Sequence, residues 1–385
     1  MNLRIFITRA LFVFAALLLA ACSGNGPDAS PSASALAGDR AGAPKPPKHI
    51  FIVALENEGY DTTFGPTSAA PYLARTLPAQ GALLTQYYGI GHNSLDNYIA
   101  MVSGQAPNPQ TQADCQFYTD WLGSTALDGN GQVAGLGCVL PPNVFTIGNQ
   151  LQAAGLAWKG YMEDMGNDPA RDGGTVCAHP ALNAQDTTQK ATATDNYAVR
   201  HDPFMYFHAV IDDPAGCGSH VVNLSQLDAD LQSVSTTPSY AFITPNLCHD
   251  GHDSPCADGS AGGLASVDQF LQTLIPKIMN SPAYQQDGLI VITFDEAGTS
   301  DTSACCGETP GPNALLPGIL GPGGGRTGAV LLSPSIRPGT VSNTPYNHYA
   351  LLRSVEDLLG VPHLGFANAN GLQTFGGDVF NATSD

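Results

Sequence analysis

The chain has 385 residues, enough for one large catalytic domain or two ordinary ones. Apolar residues make up 43% and charged residues only 12%, which excludes a disordered polyampholyte, while 43 Gly and 29 Pro speak for many loops rather than a helical bundle. The balance of 14 Lys and Arg against 33 Asp and Glu gives a formal charge of -19. That excludes a sequence-independent nucleic-acid binder and requires any anionic substrate to be met by a local cation: a metal, a His cluster or helix amides.

At the N-terminus, Arg4 and Arg9 precede the apolar run Ala10 to Ala21, which is too short for a permanent span and has the layout of a secretory signal. The run ends Leu19-Ala20-Ala21-Cys22, which resembles the lipobox of bacterial lipoproteins, with an ordinary secretory signal as the alternative. Residues 1–21 are therefore expected to be a lipoprotein signal peptide. Residues 22–46 read as a lipidated Cys22 and a flexible linker tying the protein to the membrane of the cell envelope, at the outer membrane or cell surface. A single domain is expected over 47–385, with a Gly/Asn-rich tail after about Pro362. No later stretch is long and apolar enough to cross a bilayer.

Short apolar runs predict buried strands at His49 to Leu55, Ala157 to Met162, Tyr240 to Thr244, Leu289 to Phe294 and Ala329 to Leu332. Helical spacing appears at Leu95 to Val102, Phe145 to Ala154, Leu264 to Met279 and Tyr349 to Leu359. The alternation predicts an α/β fold with a mostly parallel central sheet sandwiched by helices, and ligands gathering beyond the carboxyl ends of the strands. Eight cysteines besides Cys22 favour four disulfides. Spacing suggests Cys115 with Cys138, Cys177 with Cys217 and Cys248 with Cys256, leaving the adjacent Cys305 and Cys306; a zinc site is the weaker rival.

Four segments carry chemistry-bearing side chains. Glu56-Asn57 follows the first strand and can offer oxygens to a hard divalent cation, or be a solvated turn. In His92 to Tyr98, Ser94 stands just ahead of a helical pattern, either as a plain N-cap or as a nucleophile beside N–H groups that receive a phosphate. Asn246 to Asp253 follows the strand ending near Thr244 and concentrates His and Asp for metal or phosphate binding. Asp295-Glu296 ends a strand too apolar to be other than central, on the same edge as Glu56, and two acidic strand ends make a metal site stronger than one. Taken singly, His201 and His348 would pass as structural histidines.

Together these segments resemble the bacterial phosphoesterase family that contains secreted acid phosphatases and phosphatidylcholine-type phospholipases C, a branch of the alkaline-phosphatase-like superfamily. The likeness runs from His49 to about Pro362, with its elements in family order. They are a strand followed by E-N (Glu56-Asn57), an H-P-S-x-P-N-Y-like segment (His92 to Tyr98) and K/R-H-x-P-F/W (Arg200 to Phe204). N-x-x-x-D-x-H (Asn246 to His252), a strand followed by D-E (Asp295-Glu296) and H-Y before a helix (His348-Tyr349) complete the set.

The resemblance implies an alkaline-phosphatase-like, loop-rich, disulfide-stapled fold in which Glu56, Asn57, Asp295 and Glu296 ligate a divalent metal, among Mg, Ca, Mn, Zn and Fe. It implies Ser94 as the nucleophile of a phosphoserine intermediate, with His92, His252 and His348 as further catalytic groups and Asn97, His201 and Asp250 binding substrate. Imidazoles near their ordinary pKa of about 6.5 would then donate protons and neutralise phosphate best in mild acid. Asn93 and Asp96 depart from the family pattern, which has proline at both places, so the loop holding Ser94 loses two fixed φ angles and gains a negative charge.

The activity this implies is acid phosphomonoester hydrolysis of a small molecule or a phospholipid, with a phospholipase C-type diesterase as the alternative. A non-catalytic, envelope-anchored binding lipoprotein is the reading of another class. Its mark would be loss of Ser94 or of an acidic ligand, and neither is lost. A sulfatase lacks support because no C-x-P-x-R segment is present.

Overall fold

Alternation along one strand sets the architecture. In β1 (His49–Leu55), Ile50, Ile52 and Ala54 join one apolar cluster, whereas Phe51, Val53 and Leu55 join a second. A strand apolar on both sides must be covered on both sides, which is the condition of a parallel sheet between helix layers. The structure, a computed structural model, describes residues 46–306, 308 and 310–381. The expected signal segment 1–21, Cys22 and all but the last residue of the expected linker lie outside the described residues.

The other strands of the main sheet are β2 (Ala82–Leu84), β3 (Trp158–Met162), β4 (Val221–Asn223), β5 (Tyr240–Thr244), β6 (Gly288–Phe294), β7 (Ala329–Leu332) and β8 (Thr340–Ser342). Their spatial order is β8-β2-β7-β6-β1-β5-β3-β4. Only β7 runs against the rest, pairing antiparallel with both β6 and β2. The five strands expected from apolar runs form within one residue of their expected bounds. The three-residue strands β2, β4 and β8 are too short to show a period in sequence.

Helices α1 (Ser94–Ser103), α2 (Ile147–Ala153) and α4 (His348–Leu359) cover the face of Ile50 and Ile52, contributing Leu95 and Ile99, Ile147 and Leu151, and Leu351 and Val355. The opposite face is covered by α3 (Gly263–Met279), whose Leu264, Val267, Leu271, Ile275 and Ile278 recur at the three-to-four spacing of one helical stripe. Disulfides join Cys115 to Cys138, Cys177 to Cys217, Cys248 to Cys256 and Cys305 to Cys306. The chain is thus a disulfide-stapled α/β protein with a mostly parallel sheet. Beyond the sequence reading, it also carries a small antiparallel hairpin of Leu122–Leu127 and Val133–Leu136.

One register positions the chemistry. Leu55 of β1 pairs with Phe294 of β6, so the next residues of each strand, Glu56 and Asp295, leave the sheet side by side. The loop after β5 joins them through the Glu56 N–H, which donates to the Asp250 carbonyl at 2.8 Å.

Candidate active site

Ser94 is the first residue of α1, and its neighbours decide what its hydroxyl does. It donates to Glu56 Oε2 at 2.7 Å and caps nothing. The helix start is capped instead by Asp114, whose Oδ1 accepts the Leu95 N–H at 3.0 Å and which also receives the Ser94 amide. Those two amides are therefore taken by a protein carboxylate, not left open for an anion as the helix-amide reading expected. Asn93, just before Ser94, has φ +75°, and its amide donates toward Glu296. Its side chain donates to the Gln112 carbonyl.

The residues expected as ligands lie together and reach this hydroxyl through Glu56. Asn57, at φ +62°, donates its backbone N–H to Asp295 Oδ1 at 3.0 Å and its side-chain amide to Glu56 Oε2 at 2.9 Å. Asp295 Oδ1 also accepts the Glu296 N–H at 2.6 Å. Gly251 lets the β5 loop close over Glu56, since a Cβ there would stand 2.9 Å from the Glu56 carbonyl. Gly91 does the same for Asp96, whose carboxylate would meet a Cβ at 2.6 Å.

Glu56, Asp96, Asp295 and Glu296 are thus four buried carboxyls in one neighbourhood. Burial pushes all four well above the ordinary carboxylate range, and so do neighbouring charges: Asp295 for Glu56, Glu296 for both Asp96 and Asp295, and Asp114 for Glu296. Among the described residues no three His, Cys, Asp or Glu side chains stand in ligating geometry. The donor chemistry nevertheless fits a hard divalent cation. Asp295 Oδ2 and both Asp96 oxygens are buried without a hydrogen-bond partner among the described residues, a costly arrangement unless a charge of opposite sign joins them.

The histidines form a second layer. His201 lies between two carboxylates, with Nδ1 3.1 Å from Asp250 Oδ2 and Nε2 3.2 Å from Glu56 Oε1, and its ring stacks on Tyr98 at 5.3 Å. His252 donates from Nδ1 to Asp253 at 2.8 Å and accepts at Nε2 from the buried Arg200 guanidinium at 3.1 Å, which fixes the neutral tautomer. His92 places Nδ1 2.7 Å from Glu296 Oε2 and Nε2 3.0 Å from the Asp301 carbonyl. His348 donates from Nε2 to the Asp295 carbonyl at 2.5 Å and accepts from the Tyr87 hydroxyl at 3.1 Å, so both its nitrogens are engaged by the protein.

Burial holds all four imidazoles below their ordinary value, with Arg200 adding to the effect at His201 and His252, and His348 lowered to about 4. Burial thus works against the imidazolium charge that the sequence reading placed there in mild acid. Asn97, expected to bind substrate, spends its side chain on the loop before Ser94. It accepts from the Ile90 and Gly91 N–H groups at 2.8 and 3.0 Å and donates to the Gly91 and Asn93 carbonyls.

Sequence reasoning gave no role to Asp114, Arg200 or Tyr98. An arginine directly before His201, in a chain with only 14 Lys and Arg, was the available signal for Arg200. Asp114 had none, because its role exists only once the chain folds back on α1. Asn57, Asn93, Asp114 and His252 are among the site residues that reach solvent. A cavity of about 550 Å³ opens beside Asn57, lined also by Glu58, Tyr88, Asp301 and Arg326. Two other cavities, of about 620 and 880 Å³, lie against His249 and against Trp158, and like the first they are lined by neither Ser94 nor the four acids.

Comparison with known proteins gives this arrangement a context. A family model described as the Phosphoesterase family matches residues 67–362. An acid phosphatase of Aspergillus fumigatus is 27% identical over 316 residues, covering 82% of this chain and 56% of its own length. The chain thus spans less than two thirds of that fungal relative. A phosphatidylinositol-3-phosphatase of Mycobacterium tuberculosis is 27% identical over 367 residues, covering 95% of this chain and 92% of its own. A crystal structure of a protein in the alkaline phosphatase superfamily from Vibrio parahaemolyticus overlays with a TM-score of 0.46 at 15% identity, over 83% of this chain and 67% of that one. At that level the likeness carries no argument.

Proposed function

The chain belongs to the Phosphoesterase family, and from that membership we propose that it hydrolyses phosphate monoesters with Ser94 as nucleophile. The observation that carries the reading is the Ser94 hydroxyl, which is the first residue of a helix yet donates to Glu56 rather than to the helix start. A serine oriented by a buried carboxylate is placed for attack, not for capping. The names of the relatives, an acid phosphatase and a phosphoinositide phosphatase, favour a monoester over a diester.

In the proposed reaction Ser94 Oγ attacks phosphorus and the ester P–O bond breaks. The proton Ser94 loses, which it shares with Glu56, is made up on the leaving oxygen so that an alcohol departs, and water then hydrolyses the phosphoserine to release phosphate and restore the hydroxyl. Glu56, Asn57, Asp295 and Glu296 would hold a divalent cation. When bound, it supplies positive charge that relieves the carboxylates and lowers the basicity Ser94 needs. Arg200 brings a fixed positive charge beside Glu56, Asp250 and Asp114 and holds His252 neutral. Tyr98 supports the His201 ring and Asn97 holds the loop before Ser94, so both act as positioning residues.

Export and anchoring through Cys22 remain part of the proposal, supported by four disulfides, which persist in oxidising compartments. Hydrolysis of a chromogenic phosphomonoester, lost on chelation and in Ser94→Ala, tests the function. A folded protein that turns over no phosphoester would favour a binding lipoprotein instead.

A further inference from the structure

The loop after Asp295 and Glu296 carries the adjacent Cys305 and Cys306, and their disulfide differs from the other three in what it can do. Bridges spanning 23, 40 and 8 positions restrict the unfolded chain, whereas a bridge between neighbours closes almost no loop and does little for global stability. It is also the reachable one. Among the described cysteines only Cys306 is exposed, while Cys115, Cys138, Cys217, Cys248 and Cys256 are buried, so each of the other bridges has at least one buried end. A thiol in solution therefore meets this bond first.

The bond is joined to two histidines of the site. With the ring closed, Cys306 stands at φ +64°, in the left-handed region that residues bearing a Cβ rarely enter. Cys305 places its sulfur 3.2 Å from the Tyr346 carbonyl and donates its N–H to Glu308 Oε1 at 3.3 Å. The same Glu308 oxygen accepts the Asn347 side-chain amide at 2.9 Å, and Asn347 Oδ1 caps α4 by accepting the Ala350 N–H at 2.9 Å. His348, the first residue of α4, follows directly and donates to the Asp295 carbonyl. Earlier in the same loop, the Asp301 carbonyl accepts from His92 Nε2 at 3.0 Å. The residues flanking the pair are thus tied to His92 on one side and, through Glu308 and Asn347, to His348 on the other.

We infer that Cys305–Cys306 is a thiol-exchange site, and that its reduction by a dithiol loosens the Glu308–Asn347 support of His348 and lowers turnover at Ser94. The effect on turnover rests on the proposed phosphoesterase reading. A thiolate of the dithiol attacks the sulfur of the exposed Cys306, the S–S bond breaks, and Cys305 leaves as a thiolate that takes up a proton. The second thiolate of the reductant then displaces Cys306 from the mixed disulfide. Two electrons pass to the protein, two cysteine thiols result, and the reductant departs as its own disulfide. With the ring open, Cys306 is free to leave the left-handed region and the Cys305 N–H moves with it. Glu308 then loses one of the two donors that hold its carboxylate against Asn347. Exchange with an oxidised dithiol runs the same steps in reverse.

The test incubates the parent with dithiothreitol, alkylates it and maps the modified peptides by mass spectrometry. Its steady-state rate on a chromogenic phosphomonoester is compared with that of Cys305→Ala/Cys306→Ala, which is open without any reductant. The expected result is alkylation at Cys305 and Cys306 with the cysteines of the other bridges protected, and a roughly tenfold lower kcat at nearly unchanged KM that recovers on reoxidation. The double variant should start at the lowered kcat and ignore dithiothreitol. Glu308→Ala, with its disulfide intact, should show the same loss. A reduced parent, a folded double variant or a Glu308→Ala protein that keeps the full rate overturns the inference, and so does a pair that stays oxidised while another bridge opens. The His348 imidazole signal in a carbon–proton spectrum, assigned through His348→Gln, reads the coupling without turnover. It should shift on reduction, and an unmoved signal overturns the inference as well. A protein that shows this shift yet hydrolyses no phosphomonoester counts instead against the phosphoesterase reading and leaves the coupling supported.

Discussion

Asn93 carries a φ of +75° immediately before Ser94, a value proline cannot adopt because its ring fixes φ near -65°. The family-like proline at this place is thus incompatible with the loop as this chain builds it. Asn93→Pro would also remove the amide that donates toward Glu296. It is expected to lower the melting temperature by the equivalent of about 1–3 kcal/mol and to cut kcat roughly a hundredfold by displacing Ser94. Asn93→Gly, free to take the same φ, should keep most of the stability and activity. Thermal melts and steady-state rates on both variants check this, and an active, stable proline variant would contradict it. Asp114 is the other residue on which the loop depends, and Asp114→Ala should cost about 1 kcal/mol as a lost helix cap, read by denaturant unfolding.

Among the elements, α4 carries a titration that the sequence did not announce. Glu356 is buried on its inward side, with Oε1 accepting the Leu364 N–H at 2.9 Å and Oε2 without a partner among the described residues. Burial pushes its pKa up to about 9. The folded state therefore holds a proton that the unfolded state releases above about 4.3, so this group makes stability fall as pH rises between those two values. The slope is about 1.4 kcal/mol per pH unit, and the deficit is roughly 4 kcal/mol at neutral pH. Glu356→Gln should flatten the dependence of stability on pH across that window, measured by unfolding at a series of pH values. An unchanged slope would refute the assignment.

The long elements were readable from sequence because burial on one or both faces writes a period into them, as in β1 and α3. The hairpin at 122–136 was not readable, since Leu122 and Leu136 point to solvent and follow no core-facing pattern. At the site, the acids at the ends of β1 and β6 were legible because a strand fixes where its next residue lies. The occupancy of His348 and Asn97 was not, because it depends on partners far along the chain or on loop geometry, such as the Asp295 carbonyl and the turn at Ile90.

For the whole molecule, a divalent cation held by the gathered Glu56, Asp96, Asp295 and Glu296 in a chain of charge -19, as proposed, would make cation binding and proton release one event. Their raised pKa values mean that a divalent cation competes with protons, so its apparent affinity should weaken as pH falls. Adding the cation to chelator-treated protein should raise the melting temperature. Calorimetry in buffers of different ionisation enthalpy reads the protons released, and binding without proton release would argue against the cluster as the site.

The most direct measurement is mass spectrometry of protein quenched in acid during turnover of a phosphomonoester. A single phosphoryl group on the peptide carrying Ser94, absent in Ser94→Ala together with activity, is the predicted result. Phosphate on a histidine, or full turnover by Ser94→Ala, would contradict it.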